Sequence, residues 1–415
     1  MRILILGSGA REHVLAWVLN TGGNELFVAG GNGGTALIAS NLDIDPMDVS
    51  EVVRVARSLA IDFVVVGPEG PLEKGIVDAL RANGISVFGP TRAAAQLETS
   101  KSFALQVMDE AFVSHPRSWV FDNPSAVARF VESRGSSMVV KQDGLAGGKG
   151  VSICQNAKEA ENAARQCWQR DPGRPIIVQE FVQGQEVSVF ALTDGWNISE
   201  LVASCDYKRL KDGDMGPFTG GMGAYAWPFF WTKELENWVR DYVMKPVIRR
   251  MWLRKTPYRG ILYAGFILPS DNSPPLVLEF NARFGDPEAQ VVLPLASDDL
   301  LEAMLACAKG RGLSEVPLRW RKDISAVGRV IASEDYPDDP KIGRVIRGIE
   351  EAERLGCIVF HAGTKQEGQD IISTGGRVLT VVGIAYTIKE ARELSRKGCA
   401  WIELQGMQWR EDIAI

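Results

Sequence analysis

Three polar residues at a spacing of two, Glu279, Asn281 and Arg283, form the pattern in this chain that most directly suggests chemistry. They follow the apolar run 276–278, which is predicted to be a strand. Because alternate side chains of a strand point to the same face, the three polar groups are expected to share one face. Carboxylate and amide oxygens beside a guanidinium suit a magnesium ion and the phosphates that it bridges. A half-buried edge strand whose polar face meets water would show the same alternation, and these residues alone do not decide between the two interpretations.

Length and composition limit the classes of protein to which the chain can belong. With 415 residues it is predicted to form two to four domains, and 46% apolar and 24% charged residues are typical of a globular protein. A net charge of −6, with acidic and basic residues intermixed, argues against a nucleic-acid-binding surface. No apolar run reaches the ~18 residues of a membrane span, and glycine follows the N-terminal apolar run too early for a signal peptide. Six scattered cysteines without a C-x-x-C pair predict reduced thiols in a cytoplasmic protein, and neither a disulfide framework nor a zinc site.

The first 100 residues alternate apolar strands, at 3–6, 26–28, 63–66 and 87–88, with helical segments, which predicts a parallel, doubly wound sheet. Ligands of such sheets bind at the carboxyl ends of the strands. The turn at 7–9 does not complete a dinucleotide-binding fingerprint, because Glu12 stands where the third glycine belongs. A glycine turn that leads into a helix still favours an anion, so the phosphate of a small substrate is expected beside Arg11. A solvated helix start is the alternative interpretation of Arg11 and His13.

Residues from about 105 to 190 are predicted to form a second α/β unit, with strands at 119–121, 138–141, 151–154 and 176–180. The glycine-rich segment 144–150 lies between two of these strands. It is not a P-loop, because Asp143 replaces the first glycine and Gly150 replaces the hydroxyl residue. Four glycines and a lysine in seven residues predict a mobile loop whose backbone N–H groups close over phosphates.

The rest of the chain contributes one further glycine-rich segment and a β-rich end. The segment 216–223 is predicted to be a long loop, and such loops inside a compact domain are usually functional. Strands are predicted at 326–332, 357–360 and 377–382, followed by a helix at 388–397. The segments 363–365 and 375–377 are predicted to be turns, so a structural role is favoured for Arg377 over a role in a site.

The order of these features resembles the ATP-grasp superfamily and, within it, the glycinamide ribonucleotide synthetase family. Matching stretches run along essentially the whole chain, and those at 220–225 (Gly-Gly-Met-Gly-Ala-Tyr) and 284–288 (Phe-Gly-Asp-Pro-Glu) are specific to this family. The chain departs from the usual family residues at five positions, where Asn, Gly, His, Asn and Thr are replaced by Ser8, Ala10, Tyr207, Phe218 and Ala289.

The resemblance implies an α/β ATP-grasp fold with a Rossmann-like N-terminal domain, a mobile α/β lid and a small β-rich C-terminal domain. The domains are expected at 1–103, at 104–318 with the lid at about 112–188, and at 319–415. The implied reaction joins glycine to 5-phosphoribosylamine through glycyl phosphate, giving glycinamide ribonucleotide, ADP and phosphate, the second step of de novo purine biosynthesis. ATP is the implied cosubstrate, with Mg²⁺ or Mn²⁺. A cytoplasmic monomer or weak dimer that binds neither nucleic acid nor membranes is expected.

The resemblance also assigns roles to individual residues of this chain. Glu279 and Asn281 are expected to hold the metal, and Arg283 and Lys141 to act in catalysis. The implied ATP-binding residues are Lys101, Lys141, Gly144, Gly147, Gly148, Lys149, Gly150, Glu180, Phe181, Val182 and Glu186. The implied substrate-binding residues are Gly9, Arg11, Glu69, Asp206, Lys208, Thr219, Gly220, Gly221, Met222 and Gly223.

Three other functions fit parts of the pattern. A carboxylase or another purine ligase would share the ATP-grasp fold, and turnover that depends on bicarbonate would identify the former. A catalytically silent nucleotide-binding protein is disfavoured, since it does not need a metal pair and a transfer arginine together. An NAD-dependent oxidoreductase is disfavoured by the incomplete dinucleotide fingerprint.

Overall fold

A computed structural model describes residues 1–146, 150–271, 273–316 and 318–415. The strands of these segments are β1 (Arg2–Gly7), β2 (Glu25–Gly30), β3 (Ser40–Leu42), β4 (Phe63–Val66), β5 (Ser86–Phe88), β6 (Ser118–Phe121), β7 (Met138–Gln142), β8 (Val151–Cys154), β9 (Ile176–Glu180), β10 (Gly184–Thr193), β11 (Val202–Asp206), β12 (Arg209–Lys211), β13 (Met215–Phe218), β14 (Gly223–Ala226), β15 (Gly260–Pro269), β16 (Leu276–Asn281), β17 (Ser325–Ala332), β18 (Val345–Ile346), β19 (Ile358–His361), β20 (Thr364–Glu367), β21 (Asp370–Ser373) and β22 (Arg377–Ala385).

The α-helices in the same segments are α1 (Ala10–Leu19), α2 (Val49–Ser58), α3 (Glu69–Glu73), α4 (Ile76–Ala82), α5 (Arg92–Thr99), α6 (Lys101–Glu110), α7 (Pro124–Arg134), α8 (Ala157–Arg170), α9 (Lys233–Val239), α10 (Lys245–Leu253), α11 (Ala289–Val292), α12 (Leu300–Lys309), α13 (Ile349–Arg354) and α14 (Ile388–Cys399). A π-helical turn, Arg240–Met244, joins α9 to α10. Among the described residues, no helix is both long enough and apolar enough to cross a membrane.

The N-terminal sheet is parallel throughout, with the strand order β3-β2-β1-β4-β5. Along β1, Leu4 and Leu6 belong to one hydrophobic core, while Ile3 and Ile5 belong to another. The sheet is therefore covered on both faces, which explains why its strands are almost uniformly apolar. The predicted doubly wound sheet is confirmed, and the short polar strand β3 at its edge was not predicted, because its sequence lacks an apolar pattern.

The second α/β unit is an antiparallel sheet with the order β6-β9-β7-β8, against which α7 and α8 pack. It has its own hydrophobic core, whose buried members lie between Val127 and Val178. The four predicted strands of this unit are confirmed to within one residue at each end. We refer to this unit, from β6 to β9, as the lid.

The largest sheet is antiparallel and has eight strands in the order β16-β15-β10-β11-β14-β17-β22-β19. The pairing of β14 with β17, which places Tyr225 opposite Val327, joins the middle of the chain to its C-terminal part. The predicted C-terminal strands are confirmed, but their membership of this sheet depends on long-range pairing that no local pattern reveals.

Two segments predicted to be irregular contain strands. The glycine-rich segment 216–223 includes the end of β13, which pairs with β12, and the start of β14. Thr364, in a predicted turn, begins β20, which pairs with β21. A hairpin partner fixes β13 and β20, and the more distant strands β11 and β17 fix β14, so the prediction of irregular structure was wrong for these residues.

Candidate active site

The strand that carries Glu279 and Asn281, β16, lies at the edge of the eight-stranded sheet. Glu279 is paired with Gly265 and Asn281 with Tyr263, and the register shifts by one residue beside Gly265. Such a shift changes the direction in which neighbouring side chains point. Leu278, which precedes Glu279, therefore lines the same two cavities as Glu279. The strand is thus an edge strand, but its polar side chains line two cavities.

Two cavities meet at this strand. The first, of about 320 Å³, is lined by both the lid and the large sheet, and its apolar wall includes Val139, Val151, Ile153, Val182, Val187, Phe266 and Ile267. The second, of about 400 Å³, lies between the large sheet and the N-terminal part, and its polar wall includes Arg11, Glu69, Glu98, Lys101 and Arg377. Lys141, Glu279, Asn281, Arg283 and Asp286 line both. The predicted metal and transfer residues therefore lie where the two cavities adjoin.

Glu279 is surrounded by positive charge. Burial acts to raise the pKa of its carboxyl group, but Lys208, Lys141 and Lys101 outweigh burial and hold the pKa below its usual range. The carboxylate is therefore ionised at neutral pH and, with the amide oxygen of Asn281, offers hard ligands that fit a magnesium ion. No cluster of three His, Cys, Asp or Glu side chains suited to a metal occurs within the described residues, so phosphate oxygens and water would complete the coordination of such an ion.

The lid contributes Lys141 and the segment that follows it. Lys141 is buried on β7, and its Nζ donates to the carbonyl of Leu278 at 3.4 Å. Lys101 Nζ donates to the carbonyl of Gly144 at 3.1 Å. Gly144 and Gly150 line the second cavity, whereas the predicted ATP-binding residues Gly147, Gly148 and Lys149 lie outside the described residues.

Asp143, which immediately precedes the glycine-rich segment, fastens the lid to helix α6. Its carboxylate accepts hydrogen bonds from the backbone N–H of Lys101 and from Ser102 Oγ at 2.6 Å, and it is 3% exposed. Carboxylates are favoured at helix N-termini, where backbone N–H groups lack partners. Sequence reasoning missed this contact, because the cap is contributed from a different unit of the fold.

Lys141 should make nucleotide binding depend on pH. Burial lowers its pKa to about 8, Glu279 opposes this shift and Lys101 adds to it. The ammonium is charged below this pKa and neutral above it, so we expect kcat/KM for ATP to fall as the pH rises through about 8. Steady-state rates from pH 6.5 to 9.5 measure this. Lys141→Arg, which stays charged, should remove the decline, and a flat wild-type profile would contradict the assignment.

The end of the lid and the start of β10 border the first cavity with Glu180, Phe181, Val182 and Glu186. Glu186 forms an ion pair with Lys208 at 2.5 Å, and Lys208 Nζ lies 3.9 Å from Asp206. These residues place backbone groups and a carboxylate around a mostly apolar pocket. Asp206 and Lys208 were predicted to bind substrate. They line the first cavity and are not part of the lining of the second cavity.

Asp206 and Lys208 form a strongly interacting pair of charges. Burial raises the pKa of Asp206 to about 7, Lys208 opposes the shift and Glu288 adds to it. Glu288 is 4% exposed and accepts a hydrogen bond from the hydroxyl of Tyr263 at 2.9 Å. The floor of the first cavity therefore holds several carboxylates that share few cations.

Arg283 follows β16 and is held by two carboxylates from the N-terminal part. Its Nε lies 2.9 Å from Glu69, and its Nη2 lies 3.1 Å from Glu98. Burial lowers the pKa of Arg283, but these carboxylates outweigh it and raise the pKa, so the guanidinium stays charged. Glu98 also accepts a hydrogen bond from the backbone N–H of Ala282 at 2.7 Å. Glu98 was not predicted, since nothing in the sequence around helix α5 marks it.

The first glycine turn surrounds a carboxylate of the protein itself. Glu12 accepts hydrogen bonds from the backbone N–H of Gly9 at 2.6 Å and from Arg11 Nε at 2.7 Å. A Cβ atom on Gly7 or Gly67 would lie within 2.7 Å of the Glu12 side chain. These glycines thus make room for Glu12, which explains why the third glycine of a dinucleotide fingerprint is absent. Arg11 is buried, lines the second cavity and donates to the carbonyl of Phe284 at 3.2 Å.

Arg377, for which a structural role was favoured, lines the second cavity. Its Nη1 donates to the carbonyl of Gly220 at 2.7 Å and to that of Asp286 at 2.8 Å. Of the remaining predicted substrate residues, Thr219 and Gly220 line cavities. The linings of the two cavities do not include Gly9, Gly221, Met222 or Gly223.

A lid with its own core, a glycine-rich segment between two lid strands, and Glu-x-Asn-x-Arg at the end of a strand of the large sheet together define the ATP-grasp class of proteins. Within this class, the chain matches the family model of phosphoribosylglycinamide synthetase. Its N domain matches residues 1–98, its ATP-grasp (A) domain 99–289 and its C domain 326–415. The chain belongs to the phosphoribosylglycinamide synthetase family, and the predicted fold class is confirmed.

Known proteins agree with this assignment. Phosphoribosylamine–glycine ligase of Nostoc sp. is 42% identical over 421 residues, which cover 100% of this chain and 99% of that protein. The crystal structure of phosphoribosylamine–glycine ligase from Thermotoga maritima has a TM-score of 0.87 and 30% identity, with 100% of both chains covered. The biotin carboxylase domain of Hydrogenobacter thermophilus 2-oxoglutarate carboxylase, in complex with MgADP and bicarbonate, has a TM-score of 0.74 and 16% identity over 98% of this chain and 91% of that one. The last likeness is one of fold alone.

Proposed function

We propose that this chain uses ATP to join glycine to 5-phosphoribosylamine, giving glycinamide ribonucleotide, ADP and phosphate. The observation that carries the proposal is the meeting of a mostly apolar cavity and a second cavity with several charged side chains at Glu279, Asn281 and Arg283. A ligase of this type must bring a nucleotide phosphate, a carboxylate and an amine to one place. Membership of the phosphoribosylglycinamide synthetase family supports this choice of substrates.

ATP is proposed to occupy the first cavity. The apolar wall suits the adenine ring, the backbone of 180–182 lies at its edge, and the carboxylate of Glu186 suits the ribose hydroxyls. Lys141 and Lys101 lie near Glu279 and suit the phosphates. The backbone N–H groups of the glycine-rich segment would cover them.

Glu279 and Asn281 are proposed to hold Mg²⁺ or Mn²⁺. Both are hard oxygen donors that line both cavities, and Glu279 keeps its negative charge. When bound, the ion would neutralise phosphate charge and orient the terminal phosphoryl group.

The remaining chemistry is mostly positioning, as is usual for phosphoryl transfer. The carboxylate of glycine is proposed to attack the terminal phosphorus beside Arg283, which neutralises the developing charge. The resulting glycyl phosphate would then meet the amine of phosphoribosylamine from the second cavity, and phosphate would leave. Closure of the lid would keep water from this reactive intermediate.

Phosphoribosylamine is proposed to bind in the second cavity. Arg11 and Arg377 line it together with Glu69, so the wall offers cations for a phosphate and a carboxylate for sugar hydroxyls.

The proposed domain limits remain 1–103, 104–318 and 319–415. The expected cytoplasmic location and the monomeric or weakly dimeric state also remain predictions.

The decisive experiment is an assay of ADP release by the purified full-length chain with Mg²⁺. We expect release only when glycine and phosphoribosylamine are both present, with glycinamide ribonucleotide formed in equal amount. Omitting either substrate provides the matched control. Bicarbonate in place of glycine tests a carboxylase, and bicarbonate-dependent release would replace the proposed function.

Arg11→Ala should weaken phosphoribosylamine binding selectively. We expect KM for phosphoribosylamine to rise by about tenfold or more, because a charge-assisted contact to phosphate is worth about 1.5–3 kcal/mol. The Kd for ATP, measured by equilibrium titration, should stay within twofold. Arg2→Ala, a partly exposed arginine on the neighbouring strand, is the control. A change in ATP affinity alone would contradict the phosphate site beside Arg11.

A further inference from the structure

The last residues of the chain are tied to the hairpin β12–β13 by one buried arginine. Arg410 is 1% exposed, and its Nε and Nη2 donate to the two carboxylate oxygens of Asp412 at 2.7 and 2.6 Å. Its Nη1 donates to Asp214 Oδ1 at 2.9 Å and to the carbonyl of Arg209 at 3.0 Å. Because Arg209 and Asp214 belong to the hairpin, this guanidinium joins it to residues 410–415, which we name the C-terminal tail.

A second link runs through Tyr207. The hydroxyl of Tyr207 accepts a hydrogen bond from the backbone N–H of Ala414 at 3.0 Å. The guanidinium of Arg410 lies 4.9 Å from the centre of the Tyr207 ring. The backbone of Tyr207 meanwhile donates to the carbonyl of Gly223 at 2.9 Å and accepts from the N–H of Met222 at 2.7 Å. One residue therefore connects the tail to the glycine-rich segment 219–223. Tyr207 is also a position where this chain departs from the usual family residue.

The tail itself is fixed to the large sheet. Arg329 of β17 has no exposed surface, and it donates to the carbonyls of Arg410 at 3.1 Å, Glu411 at 3.0 Å and Arg392 at 2.8 Å. Breaking these contacts would leave a buried charge without partners, which is costly. The tail is thus a rigid support and not a frayed end.

The supported segment reaches the first cavity. The carbonyl of Lys208 accepts from the backbone N–H of Thr219 at 2.8 Å and from its hydroxyl at 2.9 Å. Lys208 also forms the ion pair with Glu186 in the same cavity, and Thr219 lines it. The positions of Lys208 and Thr219 therefore depend on the residues that hold Tyr207.

We propose that the C-terminal tail positions the segment 207–223 for catalysis, with Tyr207 and Arg410 as positioning residues that do not contact substrate. The functional part of this inference rests on the proposed ligase function. The mechanical part, that the tail holds the segment, is independent of which substrates bind.

Hydrogen exchange of the full chain tests the mechanical part. Tyr207→Phe keeps the ring and removes one neutral hydrogen bond, so we expect the amides of 219–223 to exchange about fivefold faster, while those of β1 to β5 stay unchanged. Arg410→Lys keeps the charge but loses the forked geometry, and about tenfold faster exchange is expected in the same segment. Glu350→Gln breaks the surface pair with Arg354 on helix α13 and is the matched control, with wild-type exchange expected at 219–223.

Kinetics of the same variants test the functional part. Because Lys208 and Thr219 line the first cavity, Tyr207→Phe should raise KM for ATP about fivefold, with kcat within twofold of wild type. Unchanged exchange at 219–223 in Tyr207→Phe, or equally faster exchange in every sheet, would overturn the proposal even if Arg410→Lys fails to fold. Faster local exchange with unchanged KM would overturn the functional part alone. Absence of ADP release by the wild type would refute the proposed ligase function and leave the exchange result standing.

Discussion

Glu279→Ala is expected to abolish nearly all Mg²⁺-dependent ADP formation while the chain remains folded. Glu279 is the carboxylate on the strand shared by both cavities, and it lies among Lys208, Lys141 and Lys101. Even outer-shell partners of metal ligands are worth about 10- to 100-fold, so loss of a ligand should cost more than about a hundredfold. Initial rates over a range of Mg²⁺ concentrations measure the effect.

Two comparisons make this result specific. Asp271→Asn changes an exposed carboxylate near the same hairpin, and its rate should stay within twofold of wild type. Circular dichroism and thermal melting should show that Glu279→Ala is folded, because the lysines near Glu279 line the two cavities and can be solvated there. If Glu279→Ala keeps its activity and Glu288→Gln loses it, the metal ligand is Glu288.

Arg283→Lys should lower the rate of ADP formation by about a thousandfold with little change in the Kd for ATP. Arginines that neutralise the transferred phosphoryl group are worth about 10³ to 10⁵ in kcat in other phosphoryl-transfer enzymes. Lysine keeps the charge but cannot bridge Glu69 and Glu98 while facing the substrate, because it lacks the planar fork. Single-turnover rates at saturating substrates isolate this step.

The two carboxylates that hold Arg283 provide an internal comparison. Glu98→Gln keeps the shape of this side chain and can still accept the hydrogen bond from the N–H of Ala282. Only the ion pair that orients Arg283 is weakened. We expect a fall of about tenfold, between wild type and Arg283→Lys. Arg319→Lys, at an exposed pair with Asp298, should have no effect. A large fall in ATP affinity in place of rate would assign Arg283 to nucleotide binding.

Local patterns predicted most of the elements but few of the contacts of the candidate site. Apart from the polar strand β3, the strands of the N-terminal sheet and the lid were predicted because each is a short apolar run between glycines or helices. Glu279 and Asn281 lie on one strand, as their alternation predicted. The expectation for Arg283 came from the same alternation, although β16 ends before it and the contacts with Glu69 and Glu98 hold it in place.

Residues that act across large sequence separations were missed. Glu98 meets Arg283 and Arg377 meets Gly220 only through the packing of separate units, so no spacing along the chain marks them. The same limit applies to Asp143, whose capping role depends on helix α6 lying beside the lid. Long-range contacts of this kind need the fold to be known first.

The distribution of hydrophobic cores determines which part of the molecule is free to move. Ile3 and Ile5 of the N-terminal sheet share a core with Phe190 and Leu192 of the large sheet, so separating these sheets would expose apolar surface to water. The lid keeps its core to itself, and few of its side chains, such as Ile177, join the shared cores. Rotation of the lid would cost little apolar burial, whereas the floor that carries Glu279 would stay still. The fold thus combines a floor built on shared cores with a separately folded cover, and polar contacts such as that of Asp143 with helix α6 join the two.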